Sequence, residues 1–68
     1  MKAVSGKHFA RILESHGWVL VRVNGSHHVY TQSGNPARIS LPIHKNEDLK
    51  VGLLKHFMKV AGITETEL

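Results

Sequence analysis

The stretch WVLVRVNGSHHVYTQ, residues 18–32, decides the fold of this chain of 68 residues. Its first part, residues 18–23, is apolar and rich in β-branched side chains, which favours a β-strand. Asn24-Gly25 is the residue pair most typical of a tight hairpin turn. Residues 27–32 then form the returning strand, and two adjacent histidines stand at its start. The stretch therefore predicts a β-hairpin with titratable rings beside its turn.

A third strand and two helices complete the predicted fold. Residues 33–36 have the composition of a turn, and residues 37–41 form a strand that ends at Pro42. Residues 5–16 and 46–61 carry apolar side chains at helical spacing. The predicted class is α+β, with the order α-β-β-β-α and two helices packed on one face of a three-stranded antiparallel sheet. A double-stranded-RNA-binding domain has the same order of elements.

Polar residues at the helix ends support these boundaries. Ser5 can accept a hydrogen bond from a free backbone N–H at the start of the first helix, and Gly17 can end that helix in a left-handed conformation. Asn46 or Asp48 can cap the second helix. We therefore expect the second helix to begin within the polar segment that precedes its apolar stripe.

Length and composition predict a single domain over residues 1–68. The chain has no cysteine, which excludes a disulfide scaffold and fits the reducing cytoplasm. We expect no signal peptide, because no basic, apolar and small-residue segments follow one another at the N-terminus. We also expect no membrane contact, because no apolar run approaches the ~20 residues of a membrane helix.

The charge of the chain points to a polyanionic partner. Nine Lys and Arg outnumber five Asp and Glu, giving +4 with the six histidines neutral. A compact basic domain often binds nucleic acid, although a net charge also serves solubility alone. The charge therefore favours RNA as a ligand, and the residues of interest are those that could bind or cleave it.

His27 and His28 are the candidate catalytic residues. Because strand side chains alternate, His27 is expected on one face and His28, with Tyr30, on the other. Tyr30 is expected in the core or half-buried in the sheet, with a base-stacking position on a face uncovered by the helices as the open alternative. An imidazole can take the proton of a ribose 2′-OH at neutral pH and so start cleavage of the adjacent phosphodiester. This chemistry requires no metal or cofactor. The alternative is a pair of exposed polar residues at a hairpin mouth without a catalytic role.

Residues that can bind RNA surround this position in the predicted meander. Arg22, Arg38 and Lys45 can stabilise the charge of a phosphorane, and Ser26 adjoins the rings. The end of the third strand should approach the start of the second, which brings Pro42 and His44 towards Gly25. His44 would then be a second RNA-binding histidine, with a general acid or an idle loop residue as the open alternatives.

Two further interpretations of the basic and histidine residues are weaker. The six histidines form no i, i+4 pair and have no cysteine beside them, so we expect no metal site. Lys50, Lys55, Lys59 and His56 are expected on a solvated outer face of the second helix. Neither pattern predicts a cofactor.

Four segments of the chain resemble the HicA (YcfA-like) toxin family of bacterial toxin–antitoxin systems. They are SGKHFARILESHGW, VRVNGSHHVY, LPIHKNEDLKVGLLK and VAGIT, beginning at residues 5, 21, 41 and 60. The combination of Gly25-Ser26-His27 with a Pro-x-His loop, Pro42 to His44, carries most of the resemblance. One departure is Gly52-Leu53-Leu54, where the family commonly has Gly-Thr-Leu.

The resemblance implies an mRNA interferase with a double-stranded-RNA-binding-like fold. It implies that the catalytic histidine of the Gly-Ser-His motif is His27, with His28 as the second candidate. It also implies a HicB-type antitoxin that covers the active face, often in a dimeric or tetrameric complex. The remaining alternatives are a non-catalytic RNA-binding module and a protein-interaction domain that pairs through its open sheet edge.

Overall fold

A computed structural model describes residues 2–68 and confirms the predicted order α-β-β-β-α. The elements are α1 (Gly6–Ser15), β1 (Trp18–Asn24), β2 (His27–Gln32), β3 (Asn35–Pro42), α2 (Val51–Ala61) and a 3-10 turn (Glu65–Glu67). The strands form one antiparallel sheet in the order β1-β2-β3. The predicted α+β class and the antiparallel meander are therefore confirmed.

Helix α1 begins and ends as its sequence predicts. The Ser5 side chain accepts a hydrogen bond from the backbone N–H of His8 at 3.1 Å, which satisfies one of the free N–H groups of the first turn. Gly17 follows the helix with φ of 85°, a conformation that costs glycine little. The buried stripe of the helix is Phe9, Ala10, Ile12 and Leu13.

Helix α2 begins at Val51, later than predicted, and neither Asn46 nor Asp48 caps it. The N-cap position is Lys50, whose side chain makes no capping hydrogen bond. The expectation of a helix over residues 46–61 was therefore wrong in its first turn.

A tertiary contact explains the late start of α2. The backbone N–H of Leu49 donates to the carbonyl oxygen of Val4 at 2.7 Å, and Ser5 and Asp48 form an isolated antiparallel bridge. Leu49 is only 8% exposed. Because this pairing holds Asp48 extended and Lys50 is extended as well, with ψ of 140°, α2 cannot begin before Val51.

Both helices cover one face of the sheet and bury its apolar side chains. The strand residues in the core are Trp18, Tyr30, Ile39 and Leu41. The α2 residues in the core are Leu54, Phe57 and Met58. Tyr30 is only 3% exposed, which confirms its expected place in the core and excludes the alternative of a base-stacking position on an uncovered face. Burial, with a smaller contribution from the Glu14 carboxylate, raises the pKa of the Tyr30 phenol.

The opposite side of the sheet, which we call the open face, faces away from both helices. Its paired positions follow from the strand register: Arg22 with Val29, Val29 with Ser40, and Thr31 with Arg38. His27 shares this face because it lies two residues before Val29 on β2. The open face therefore carries Arg22, His27, Val29, Thr31, Arg38 and Ser40.

A bulge in β1 determines the position of Arg22. Leu20 pairs with Tyr30, whereas Arg22 pairs with Val29, so Val21 is an extra residue without a partner on β2. In an unbroken register, Arg22 would share the face of Leu20 and Tyr30. The bulge turns it to the face of His27 instead.

Candidate functional site

The two adjacent histidines lie on opposite faces of the sheet. His27 is exposed on the open face, where its cross-strand partners are Asn24 and Pro42. His28 is half-buried on the helix-covered face, opposite the fully buried Leu41. The predicted alternation is confirmed, and the pairing of Asn24 with His27 shows that β2 starts regularly. The two rings consequently do not meet in one site.

The surroundings of His27 are polar and positively charged. Its Nδ1 lies 3.3 Å from the Ser40 hydroxyl oxygen. Arg22 is its diagonal neighbour on β1, and Arg38 lies farther along the same face on β3, opposite Thr31. The three strands contain no Asp or Glu, so no carboxylate of the sheet offsets these cations. An imidazole in this position has access to solvent and to an anionic ligand.

His28 is held by the backbone. Its Nδ1 lies 3.3 Å from the carbonyl oxygen of Ser26, and because a carbonyl only accepts, the ring donates through Nδ1–H. The ring packs beside the core, opposite Leu41 and Val23. His28 therefore links the turn to the core and lies on the side of the sheet opposite the open face.

The turn before β2 and the loop after β3 meet, as the meander predicts. Gly25-Ser26 is the two-residue turn, one residue later than Asn24-Gly25, and Gly25 has φ of 63°. The carbonyl oxygen of Ser26 accepts a hydrogen bond from the backbone N–H of Ile43 at 2.8 Å. Pro42 lies opposite His27. Gly25 and Pro42 thus shape the edge of the sheet at which His27 stands.

His44 and Lys45 lie in the exposed loop after β3. His44 Nδ1 is 2.9 Å from a Glu47 carboxylate oxygen, and Glu47 N–H donates to the His44 carbonyl oxygen at 3.1 Å. Lys45 has φ of 54° between them. Within residues 2–68, no hydrogen bond or ion pair joins His44 to His27, so the two rings do not form a direct pair.

A shallow groove lies beside this loop. It has a volume of about 230 Å³ and runs between the end of β3 and the start of α2. Its lining residues are Pro42, His44, Glu47, Asp48, Leu49, Lys50 and Leu53. Because acidic and basic side chains both line it, the groove is a weaker anion site than the open face.

The structure also shows the positions of the basic residues of α2, of the residue types that could bind a metal, and of the apolar side chains of β1. Lys50, Lys55, His56 and Lys59 are exposed on or beside α2, as predicted for a solvated helix face. Among residues 2–68, no three His, Cys, Asp or Glu side chains converge as a metal-binding group. The edge strand β1 exposes Val19, Val21 and Val23 by 59, 54 and 54%. Val19 lies on the open face opposite Thr31, Val21 lies at the bulge, and Val23 lies opposite His28 on the other side of the sheet.

Ser40, the residue that contacts His27, is absent from the site residues expected from the sequence. Its signal was available in the alternation of β3, because Ile39 and Leu41 are the apolar residues on either side of it. If they face the core, Ser40 faces the opposite side. Only the register of β3 against β2 shows that this side chain reaches His27.

Comparison with known protein families identifies a match over most of the chain. A family model described as the HicA toxin of bacterial toxin–antitoxin systems matches residues 6–63 of the 68-residue chain. The chain belongs to the HicA toxin family. The resemblance stated from its sequence motifs is confirmed, and the matched range contains every candidate site residue named above. A search of curated proteins finds no match.

Membership of the HicA family makes the chain a toxin of the toxin–antitoxin type, and such a system includes an antitoxin partner. Among residues 2–68, no helix has the length and apolar character needed to cross a membrane. The family assignment applies to the whole folded unit, since the match begins at the first residue of α1 and extends past the end of α2.

Proposed function

We propose that this HicA-family chain is an endoribonuclease that cleaves mRNA in the cytoplasm, with His27 as the general base and without a metal or cofactor. The observation that carries the proposal is the exposed His27 ring on the open face, with arginines on both neighbouring strands and no strand carboxylate. Family membership supports the toxin role.

The proposed reaction uses the nucleophile that RNA already carries. His27 Nε2 takes the proton of a 2′-OH, the 2′ oxygen attacks the adjacent phosphorus, and the bond to the 5′ oxygen breaks. Water can protonate the departing 5′ oxygen, because the open face is in contact with solvent. The products are a 2′,3′-cyclic phosphate and a 5′-OH. General base catalysis of this kind contributes ~10²–10⁴-fold.

The cations of the site have a different role from the base. We assign Arg22 and Arg38 to the phosphate groups, where a guanidinium can donate two parallel hydrogen bonds and offset the developing charge. Lys45, Ser26 and His44 are proposed to contact RNA beyond the scissile phosphate, because they lie around the turn and loop next to His27. His44 is assigned to binding, since Glu47 holds its Nδ1.

His28 is proposed to support the site from the covered side of the sheet. Its hydrogen bond to Ser26 and its place opposite Leu41 favour this role. We therefore expect His28→Ala to retain more cleavage activity than His27→Ala.

The decisive experiment is incubation of the purified chain with labelled RNA in excess EDTA. The wild type should produce cyclic phosphate ends, and His27→Ala should be ~10²–10⁴-fold slower with an unchanged circular dichroism spectrum. His56→Ala is the matched control, because that ring is exposed on α2. RNA binding without product from the wild type would reject the enzyme and favour a non-catalytic RNA-binding module.

We further propose that a HicB-type antitoxin neutralises the chain by covering the open face. The exposed Val19 on the open face and the adjacent Val21 at the bulge of β1 support a protein contact there. Expression of the chain alone should arrest bacterial growth, and co-expression of its HicB-type antitoxin should restore it. Val21→Lys should keep RNA cleavage but weaken antitoxin binding. If antitoxin and RNA bind simultaneously without competition, this placement of the partner is wrong.

A further inference from the structure

We infer that Ser40 is a positioning residue for His27, which holds the ring with Nε2 directed to the solvent of the open face. This inference rests on the proposed function, in which Nε2 is the base. The observation behind it is the 3.3 Å separation of Ser40 Oγ and His27 Nδ1, a contact between two neighbouring strands.

The strand register makes this contact a stable property of the sheet. Val29 pairs with Ser40, so Ser40 is the diagonal neighbour of His27 on the same face. Diagonal neighbours lie within reach of a long side chain such as histidine. Ile39 and Leu41 are 1 and 0% exposed, so a slip of β3 by one residue would expose both of them. Burial of these two side chains therefore keeps the Ser40 hydroxyl on the open face.

In the proposed arrangement the His27 ring donates through Nδ1–H and the Ser40 hydroxyl oxygen accepts, because this is the direction that leaves Nε2 free as the base. A neutral imidazole has one N–H, and the hydrogen bond at one nitrogen determines the state of the other. When Nδ1–H donates to Ser40 Oγ, Nε2 keeps its lone pair and can accept the 2′-OH proton. After that transfer both nitrogens carry a proton, and Ser40 Oγ still accepts from Nδ1–H.

A neutral orienting group suits an anionic substrate. The charged groups that share the open face with His27 are Arg22 on β1 and Arg38 on β3, while its neighbours Asn24 and Pro42 are uncharged. A carboxylate in the place of Ser40 would orient the ring equally well but would repel phosphate. The hydroxyl fixes the tautomer and leaves the positive potential of the face intact.

The test measures the ring directly by nitrogen NMR of His27 at about pH 8.5, where imidazoles are neutral. The His27 signals are identified by their loss in His27→Gln. The wild type should show mainly the Nδ1–H tautomer. Ser40→Ala should shift the population towards Nε2–H, whereas Ser40→Thr, which keeps a hydroxyl, should not. Thr31→Ala is the control, since it removes a hydroxyl from the same face at a site away from His27.

Cleavage kinetics provide the second measurement. Ser40→Ala should lower the single-turnover rate about 2- to 10-fold, the factor equivalent to one hydrogen bond, with RNA affinity unchanged and rescue by Ser40→Thr. An identical tautomer ratio in wild type and Ser40→Ala would overturn the inference. If the tautomer shifts but the wild type does not cleave RNA, Ser40 still positions the ring and only the proposed function fails.

Discussion

The backbone N–H of Ile43 donates to the carbonyl oxygen of Ser26 at 2.8 Å, which joins the loop after β3 to the turn before β2. His27 directly follows this joint, and α1 packs against it from the other side through Gly6. Three elements that are distant in the sequence thus meet beside the proposed base. The stability of this junction and the activity of the site should therefore change together.

Gly6→Ala should disturb the junction. A Cβ at Gly6 would collide with the carbonyl oxygen of Pro42 and crowd Ile43. We expect a loss of about 1–3 kcal/mol in the free energy of unfolding, measured by urea denaturation, and slower RNA cleavage because the loop is displaced from Ser26. Gly52→Ala is the control, since a Cβ there meets no atom within 4 Å and should stabilise α2 by up to about 1 kcal/mol. Equal effects of the two substitutions would contradict the packing.

Arg22→Gln and Arg38→Gln should each weaken RNA binding and reduce its salt dependence. Each lost phosphate contact should make the slope of log affinity against log salt less negative by about 0.7 for a single strand. Lys59→Gln, an exposed change of equal charge on α2, should leave the slope nearly unaltered. Titration of labelled RNA at several salt concentrations gives these slopes. The same slope change in all three variants would show that net charge, rather than the open face, controls binding.

Capping substitutions should distinguish the observed start of α2 from the predicted one. Ser5→Ala should lower the free energy of unfolding by about 1 kcal/mol, because the first turn of α1 loses its acceptor. Asn46→Ala should change it by less than about 0.5 kcal/mol, because Asn46 is exposed and lies outside α2. Thermal or urea unfolding of both variants checks this. A larger loss of unfolding free energy from Asn46→Ala would indicate that Asn46 caps α2, as expected from the sequence.

Tyr30 should make the fold sensitive to alkali. Burial, and to a smaller extent Glu14, raise the pKa of its phenol above 10.0, so the unfolded state loses this proton first. The stabilisation is fully present below about pH 10 and is lost as pH rises through the folded pKa. Urea denaturation between about pH 8 and pH 11 should show a smaller fall in stability for Tyr30→Phe than for the wild type. Parallel curves would mean that the ring is not desolvated.

Local chemistry explains why much of the fold was predictable. The N-cap at Ser5 and the strand of residues 27–32 depend on contacts between near neighbours, and both agree with the structure. The start of α2 differed because the N–H of Leu49 binds Val4, a partner 45 positions earlier in the chain. The sequence left Tyr30 open between the core and an uncovered face, because a tyrosine is compatible with either face of a half-buried strand. The positions of such residues depend on tertiary packing, which local propensity does not predict.

The sequence by itself determined the element order, the family and the opposite faces of His27 and His28, because turn residues, motifs and strand alternation are local properties. Only the tertiary structure decided what surrounds His27. The bulge at Val21 turns Arg22 to the open face, and the register of β3 brings Ser40 to the ring. Both depend on which residues of neighbouring strands are paired, and that pairing follows from burial of the whole core rather than from any one segment.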